Sequence, residues 1–218
     1  MQHRVQQGDY LAKIARVYGL SDWREIWNHP DNLALKNRRK DPNVLFPGDV
    51  LAIPDTQAKH VARPADQSHR FTAKRPDLRL IVVLDRAYDT PLAGIGCELT
   101  VDGDPRLLTS GGDGRIERGI APVAAQAQLT LRDSGTALDH VPVTLRIGHL
   151  DPVDLPSGQC ARLNNLAYFA GPDPDGDAGE NARLFDSAVQ EFQCDHGLVV
   201  DGVCGPRTQS KLREVYGC

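Results

Sequence analysis

The residues best equipped for chemistry are unevenly spread. Four of the five cysteines, Cys160, Cys194, Cys204 and Cys218, lie in the last third of the 218-residue chain, and Cys97 stands alone in the middle. Such clustering predicts a disulfide framework of an oxidising compartment, with three pairings open. Cys194–Cys204 would close a short loop, and Cys160–Cys218 would tie the ends of the region. Zinc is the rival use, because His196 follows Cys194 by two residues. The paired Cys-x-x-Cys spacing of a structural zinc site is missing, so no metal is expected.

Hydrolytic chemistry needs recognisable constellations of side chains. Zinc-dependent hydrolysis needs clustered ligands, but the seven histidines are scattered, with no H-x-H or H-x-x-x-H. A thiol nucleophile needs an activating base. Cys97 with His140 or His149 is the available combination, and a buried structural thiol is the preferred reading of Cys97. Glycoside cleavage needs two carboxylates across a cleft. Glu98 and Glu117 fall on β-rich segments whose alternation turns charged residues outward. The acidic turn Asp173-Pro174-Asp175-Gly176-Asp177 fails as a calcium loop: its glycine is at the fourth position, and Leu184 occupies the twelfth. The sequence therefore predicts no catalytic site, no metal and no cofactor.

Bulk properties narrow the classes further. A formal net charge of −4 with mixed signs argues against a nucleic-acid surface. The densest basic cluster, Lys36, Arg38, Arg39 and Lys40, reads as a solvated helix end. No apolar run approaches the roughly 20 residues that span a bilayer. The start, Met1-Gln2-His3-Arg4, lacks the basic-then-apolar pattern of a secretory signal. The sequence is compatible with a cytoplasmic protein, with export by a route that accepts a folded protein, and with a processed mature form carrying an added Met.

The elements that must position these residues divide by composition. Residues 1–54 carry helical periodicity, and residues 55–75 are polar enough to form a linker. Residues 76–148 alternate β-rich runs with glycine turns, and residues 149–218 return to helical patterning. The expected fold is multidomain α+β, with a βααβ module, a small β-sandwich and a three-helix bundle.

In the first segment, Arg4–Gln6 reads as a strand. Leu11, Ile14, Ala15 and Tyr18 recur on one helical face, capped by Asp9 and stopped by Gly19. Ser21 or Asp22 opens a second helix carrying Trp23, Ile26 and Trp27. Pro47-Gly48 turns into the strand Val50–Ile53. The run Val5-Gln6-Gln7-Gly8-Asp9-Tyr10-Leu11, then Ile14-Ala15, Gly19, Trp23, Ile26, Asn28, and Pro42 through Pro54 resembles the LysM domain over nearly all of residues 3–54. That resemblance implies a shallow groove for N-acetylglucosamine-containing glycan between two loops. Here they would be Gly8, Asp9, Tyr10 and Leu11, and Asn43, Val44, Leu45 and Phe46. Loop backbone groups suit sugar hydroxyls and acetamides, and Tyr10, Leu45 and Phe46 suit sugar C–H faces. Tyr10 stands where the family usually has threonine, and the stretch from Asn28 to Pro42 is longer than usual.

The last segment predicts a helix from Gly158 to Tyr168, a longer one carrying Leu184, Phe185, Ala188, Val189 and Phe192, and a third opened by Pro206. Arg162-Leu163-Asn164-Asn165-Leu166-Ala167-Tyr168, Ala188-Val189-Gln190-Glu191-Phe192-Gln193, Gly197-Leu198 and Asp201 through Thr208 resemble the three-helix peptidoglycan-binding domain over about residues 155–217. Tyr168, Gln193, Asp201 and Arg207 are the expected glycan contacts, with a core role the alternative for Tyr168 and Phe192. In the middle, strands are expected at Leu80–Leu84, Cys97–Val101, Leu107–Thr109, Gly114–Glu117, Ala127–Leu131 and Thr144–Ile147. Thr90 to Gly94 with Gly112 to Ile116 resembles a prealbumin-type or immunoglobulin-like β domain.

These resemblances imply a non-enzymatic protein of the periplasm or extracellular space with two anchors on peptidoglycan, which can add in avidity. The three-part layout, with Thr144 through Pro152, is also similar to wall-binding proteins linked to spike proteins of type VI secretion. That similarity implies the alternative of a cargo, effector or adaptor whose partner is a spike or baseplate protein. It would reach the wall without a signal peptide, from the cytoplasm. A hydrolase with an unfamiliar site in the middle segment is the third possibility.

Overall fold

The computed structural model describes residues 1–55, 62–70, 78–86, 90–172 and 179–218. Much of the expected linker, and the acidic turn Asp173 to Asp177, lie outside the described residues.

In the N-terminal part, β1 (Gln2–Arg4) pairs antiparallel with β2 (Val50–Ala52), placing His3 opposite Leu51. The strand starts earlier than predicted because the backbone of Val5 bonds to Asp49 and Gly48, after which Gln6 to Asp9 form a turn. Helix α1 (Leu11–Val17) buries Leu11, Ile14 and Ala15, and Gly19 ends it with φ +71°. Asp9 does not cap α1. Its carboxylate turns back to the Gln6 N–H (3.0 Å) and to His3 Nε2 (3.1 Å), and Tyr10 takes the cap position without a side-chain bond. Asp22 accepts from the Arg24 N–H (2.9 Å) at the start of α2 (Arg24–Trp27). The expected βααβ layout then gains a 3-10 turn (Pro30–Asn32) and a further helix, α3 (Leu33–Arg39), which fill the stretch noted as long. Buried Asn32 holds that turn to β2, donating to the Ile26 and Ala52 carbonyls and accepting from the Ala52 N–H.

All six predicted middle strands form: β3 (Leu78–Val83), β6 (Gly96–Val101), β7 (Asp104–Thr109), β8 (Arg115–Ile120), β9 (Gln126–Arg132) and β10 (Pro142–Arg146). Two short strands, β4 (Asp85–Arg86) and β5 (Thr90–Pro91), join them. The antiparallel sheet β10-β9-β6-β7 and the pair β3-β8 share one core, in which Cys97, Leu99, Val101, Leu129 and Leu131 meet Leu80, Val82 and Ile116. Alternation along β6 and β9 puts every second side chain inside, as a half-buried strand requires.

Among the described residues the C-terminal part has three helices, α4 (Pro156–Asn165), α5 (Glu180–Asp195) and α6 (Pro206–Tyr216), around Leu163, Val189, Phe192 and Leu212. Arg162 is buried and acts structurally, donating to the backbone oxygens of Asp151, Gly158 and Cys218. The expected disulfides are not formed, and all five cysteines are free thiols. Cys160 is committed to the α4 core, its thiol against the Ala170 and Gly171 carbonyls, while the backbone oxygen of Cys218 is held by Arg162. Cys194 is exposed on α5, and burial pushes the Cys204 thiol up to about 11.

Gly158 is required by a close approach. A Cβ there would meet the Pro152 carbonyl oxygen at 2.0 Å and that of Asp151 at 2.5 Å. Gly158→Ala is expected to lower stability by about 2 kcal/mol or more, because backbone has to move. Urea melts check this, with Gly205→Ala as the control, where a Cβ meets open space.

Candidate functional site

The first candidate is the pair of loops at one end of the N-terminal part. Gly8, at φ +84°, lets the chain turn ahead of α1. Asn43 donates its N–H to Asp41 Oδ1 (2.7 Å), and Phe46 donates to Asp49 Oδ2 (3.0 Å). Asp49 in turn takes a two-pronged bond from Arg39, at 2.8 and 2.9 Å, with both side chains buried. That contact raises the Arg39 pKa. The guanidinium also lies over the Phe46 ring, 5.5 Å from its centroid.

The loops are formed, but the chain's own later segment covers them. Tyr10 is 5% exposed and donates its hydroxyl to the Ala124 carbonyl at 2.9 Å. Burial, then the charge of Asp102, pushes its phenol up to about 12, so it stays a neutral donor. A Cβ on Gly148 would meet Tyr10 Cδ1 at 2.8 Å and the Gly8 carbonyl oxygen at 3.0 Å, and a Cβ on Gly8 would meet the His149 ring at 3.0 Å. Val44 lines one cleft with Pro152, Val153 and Asp154. Gly8, Tyr10 and Val44 are buried against this segment, Leu11 and Leu45 are buried in the N-terminal core itself, Asp9 and Phe46 are half-buried, and Asn43 is exposed.

The second candidate is the end of α5 and the loop after it. Buried Gln193 donates to Asp201 Oδ1 (2.8 Å), Thr208 Oγ1 (3.0 Å) and the Val203 carbonyl (3.1 Å), and accepts from the Asp201 and Gly202 N–H groups. It organises the loop from within. Asp201 is exposed, and its carboxyl is held below the usual range by the Val203 N–H and then by Gln193. Tyr168 packs edge-on against buried Phe192 (5.5 Å between centroids) and donates to Asp195 (3.0 Å). Arg207 is exposed. Sequence reasoning did not single out four exposed apolar side chains, Phe169 after α4 and Val199, Val200 and Val203 in the loop after α5. The signal was the apolar Val199-Val200 pair directly ahead of the turn Asp201-Gly202.

The carboxylates considered for glycoside cleavage are ion-paired at the surface, Glu98 with Arg132 (2.6 Å) and Glu117 with Arg79 and Arg115 (3.3 Å each). Cys97 is buried, which raises its thiol pKa, and points at the Leu108 carbonyl. Among the described residues one group, Asp133, Asp139 and His140, could bring three ligand atoms together for a metal. Its central carboxylate is already used by the Ser134 N–H and hydroxyl.

Residues 3–54 match the LysM domain model. The chain carries a LysM domain. Residues 161–212 match the peptidoglycan binding domain model, which runs from the second half of α4 through α5 to Leu212 in α6. An uncharacterized protein in the bpoA1 3′ region of Kitasatospora aureofaciens is 48% identical over 54 residues, which are 25% of this chain and 42% of that protein. The chain thus spans less than half of that relative, and no solved structure matches it. The LysM domain is the part whose loop pair is covered, and the C-terminal domain is the part whose loop end is open.

Two substitutions separate these roles. Gln193→Ala removes five bonds from a buried network and is expected to cost about 2–3 kcal/mol, read from thermal and urea melts. Tyr10→Phe leaves the Ala124 carbonyl without its donor and is expected to cost about 1 kcal/mol, with faster amide exchange in residues 8–11.

Proposed function

We propose that this protein binds peptidoglycan without cleaving it, and that the C-terminal domain presents the working surface. The observation that carries this reading is the presence of two wall-binding families on one chain. Phe169, Val199, Val200 and Val203 offer apolar contact for sugar C–H faces. Asp201, Arg207 and the Tyr168 hydroxyl offer polar contact for hydroxyls, acetamides and peptide groups. Gln193 holds that surface in shape. In the LysM domain, Asn43 and part of Phe46 remain accessible, the Asp9 carboxylate is taken up by Gln6, His3 and Lys13, and full entry of glycan between the loops requires the segment 148–154 to move away. A wall ligand places the protein in the periplasm or outside the cell. The non-enzymatic reading is supported by the pairing of Glu98 and Glu117 and by the inward Cys97 thiol.

A second reading has its own observation. The LysM groove here holds polypeptide, supplied by residues 148–154, so this domain is suited to protein contacts. A partner such as a secretion spike or baseplate protein fits that use. Appearance in culture medium that depends on a contractile apparatus would favour it.

The wall-binding reading predicts that the full chain pellets with purified sacculi and releases no fragments over hours. Phe169→Ala combined with Val200→Ser should weaken pelleting by about tenfold, the scale set by losing two central contacts. A chain that stays in the supernatant at saturating sacculi would sink the reading.

A further inference from the structure

In the basic run Lys36, Arg38, Arg39 and Lys40, Arg38 and Lys40 are exposed at the end of α3 as a solvated helix end, and Arg39 alone departs from that reading. Arg39 turns inward with its side chain 1% exposed. Nε and Nη2 hold Asp49, and Nη1 is buried with no hydrogen-bond partner. The carboxylate facing Nη1 belongs to Asp154, at 3.9 Å, on a side chain that is more than half exposed. A buried guanidinium donor without an acceptor is costly, and its direction marks where an acceptor belongs.

That direction is a cleft of about 250 Å³ between the LysM domain and the C-terminal domain. Arg38 and Lys40 line it from the end of α3, and Arg213 lines it from α6. Among the described residues none of these three forms an ion pair. Asp41 and Asp154 also line the cleft, against the five cations Arg38, Arg39, Lys40, Arg162 and Arg213, so its charged lining is net positive in a chain of net charge −4. Lys40 adds a local inconsistency. It sits just past α3 with φ +64°, a conformation in which glycine is the usual residue. Keeping a lysine in that position retains strain together with a positive charge at the cleft mouth.

We propose that this cleft is an anion site for an oxyanion of cell-wall polymers, so that one ligand touches both the LysM and the C-terminal domain. Arg38 and Arg213 supply forked donors, Lys40 a point charge, and Arg39 Nη1 the buried donor at the floor. The half-exposed Asp154 side chain, 3.9 Å from Arg39 Nη1, has to swing aside for the oxyanion to take its place. The stem-peptide carboxylates of peptidoglycan and the phosphodiesters of other wall polymers share this chemistry. The inference rests on the wall-binding reading and names the group that is recognised.

The full chain can be titrated by calorimetry with a disaccharide–tetrapeptide muropeptide, the same muropeptide with amidated carboxylates, oligo(glycerol phosphate), and neutral chitotetraose. The double variant Arg38→Gln/Arg213→Gln should bind the charged ligand about tenfold more weakly, and raised salt should weaken the parent chain in the same direction. Loss on amidation assigns the carboxylate, and binding of oligo(glycerol phosphate) alone assigns the phosphodiester. Lys40→Gly should lower affinity for the charged ligand severalfold while its melting temperature stays level or rises, because glycine relaxes the backbone. Equal affinity in parent and double variant, or indifference to amidation without phosphodiester binding, overturns the proposal. Sacculus pelleting that persists in the double variant leaves the wall-binding reading standing while the cleft proposal falls. Failure of the parent chain to bind sacculi or any of the four ligands removes both.

Discussion

The paired bond from Arg39 to Asp49 is the constraint on which the N-terminal architecture turns. It ties the end of α3 to the turn before β2, two elements that share no regular pairing. The same Asp49 carboxylate takes the Phe46 N–H, and its backbone oxygen takes the Val5 N–H. One buried residue thus sets the second loop, the strand pair and the guanidinium that faces the neighbouring domain. Burying such a pair is not in itself a large gain. Removing one partner leaves an uncompensated charge, a loss of about 3–5 kcal/mol, and this makes the arrangement all-or-none.

Around that pair, three small cores lean on one another. Small domains bury too little surface to be strongly stable alone. The segment from Gly148 to Asp154 supplies the shared contacts. Gly148 lies against Tyr10, Val153 enters the C-terminal core, and Asp154 faces Arg39. The Tyr10 hydroxyl reaches the middle part at Ala124. These joining contacts are made by the loop pair of the LysM domain, so those loops are covered, while the end of α5 and the interdomain cleft stay open.

Much of this was legible in the chain itself. The six middle strands follow from alternation, α1 from the spacing of Leu11, Ile14 and Ala15, and its end from Gly19. Local chemistry misled where two partners compete within a few residues. Asp9 could cap α1 or close the turn to Gln6, and His3 and Lys13 draw its carboxylate toward the turn. The cysteines misled because spacing along the chain does not report which carbonyls each thiol packs against. Lys36 to Lys40 misled because helix-end composition does not show that Arg39 alone points inward.

The sequence by itself determined the elements, the three compositional segments and the two wall-binding family patterns, because these rest on periodicity and turn chemistry within a short span. Only the tertiary structure decided which surfaces stay open. The Tyr10–Ala124 bond joins residues 114 positions apart, and the cleft gathers α3 and α6 from opposite ends of the chain. Neither contact leaves a local signal, since each partner satisfies its own element whether or not the other is there.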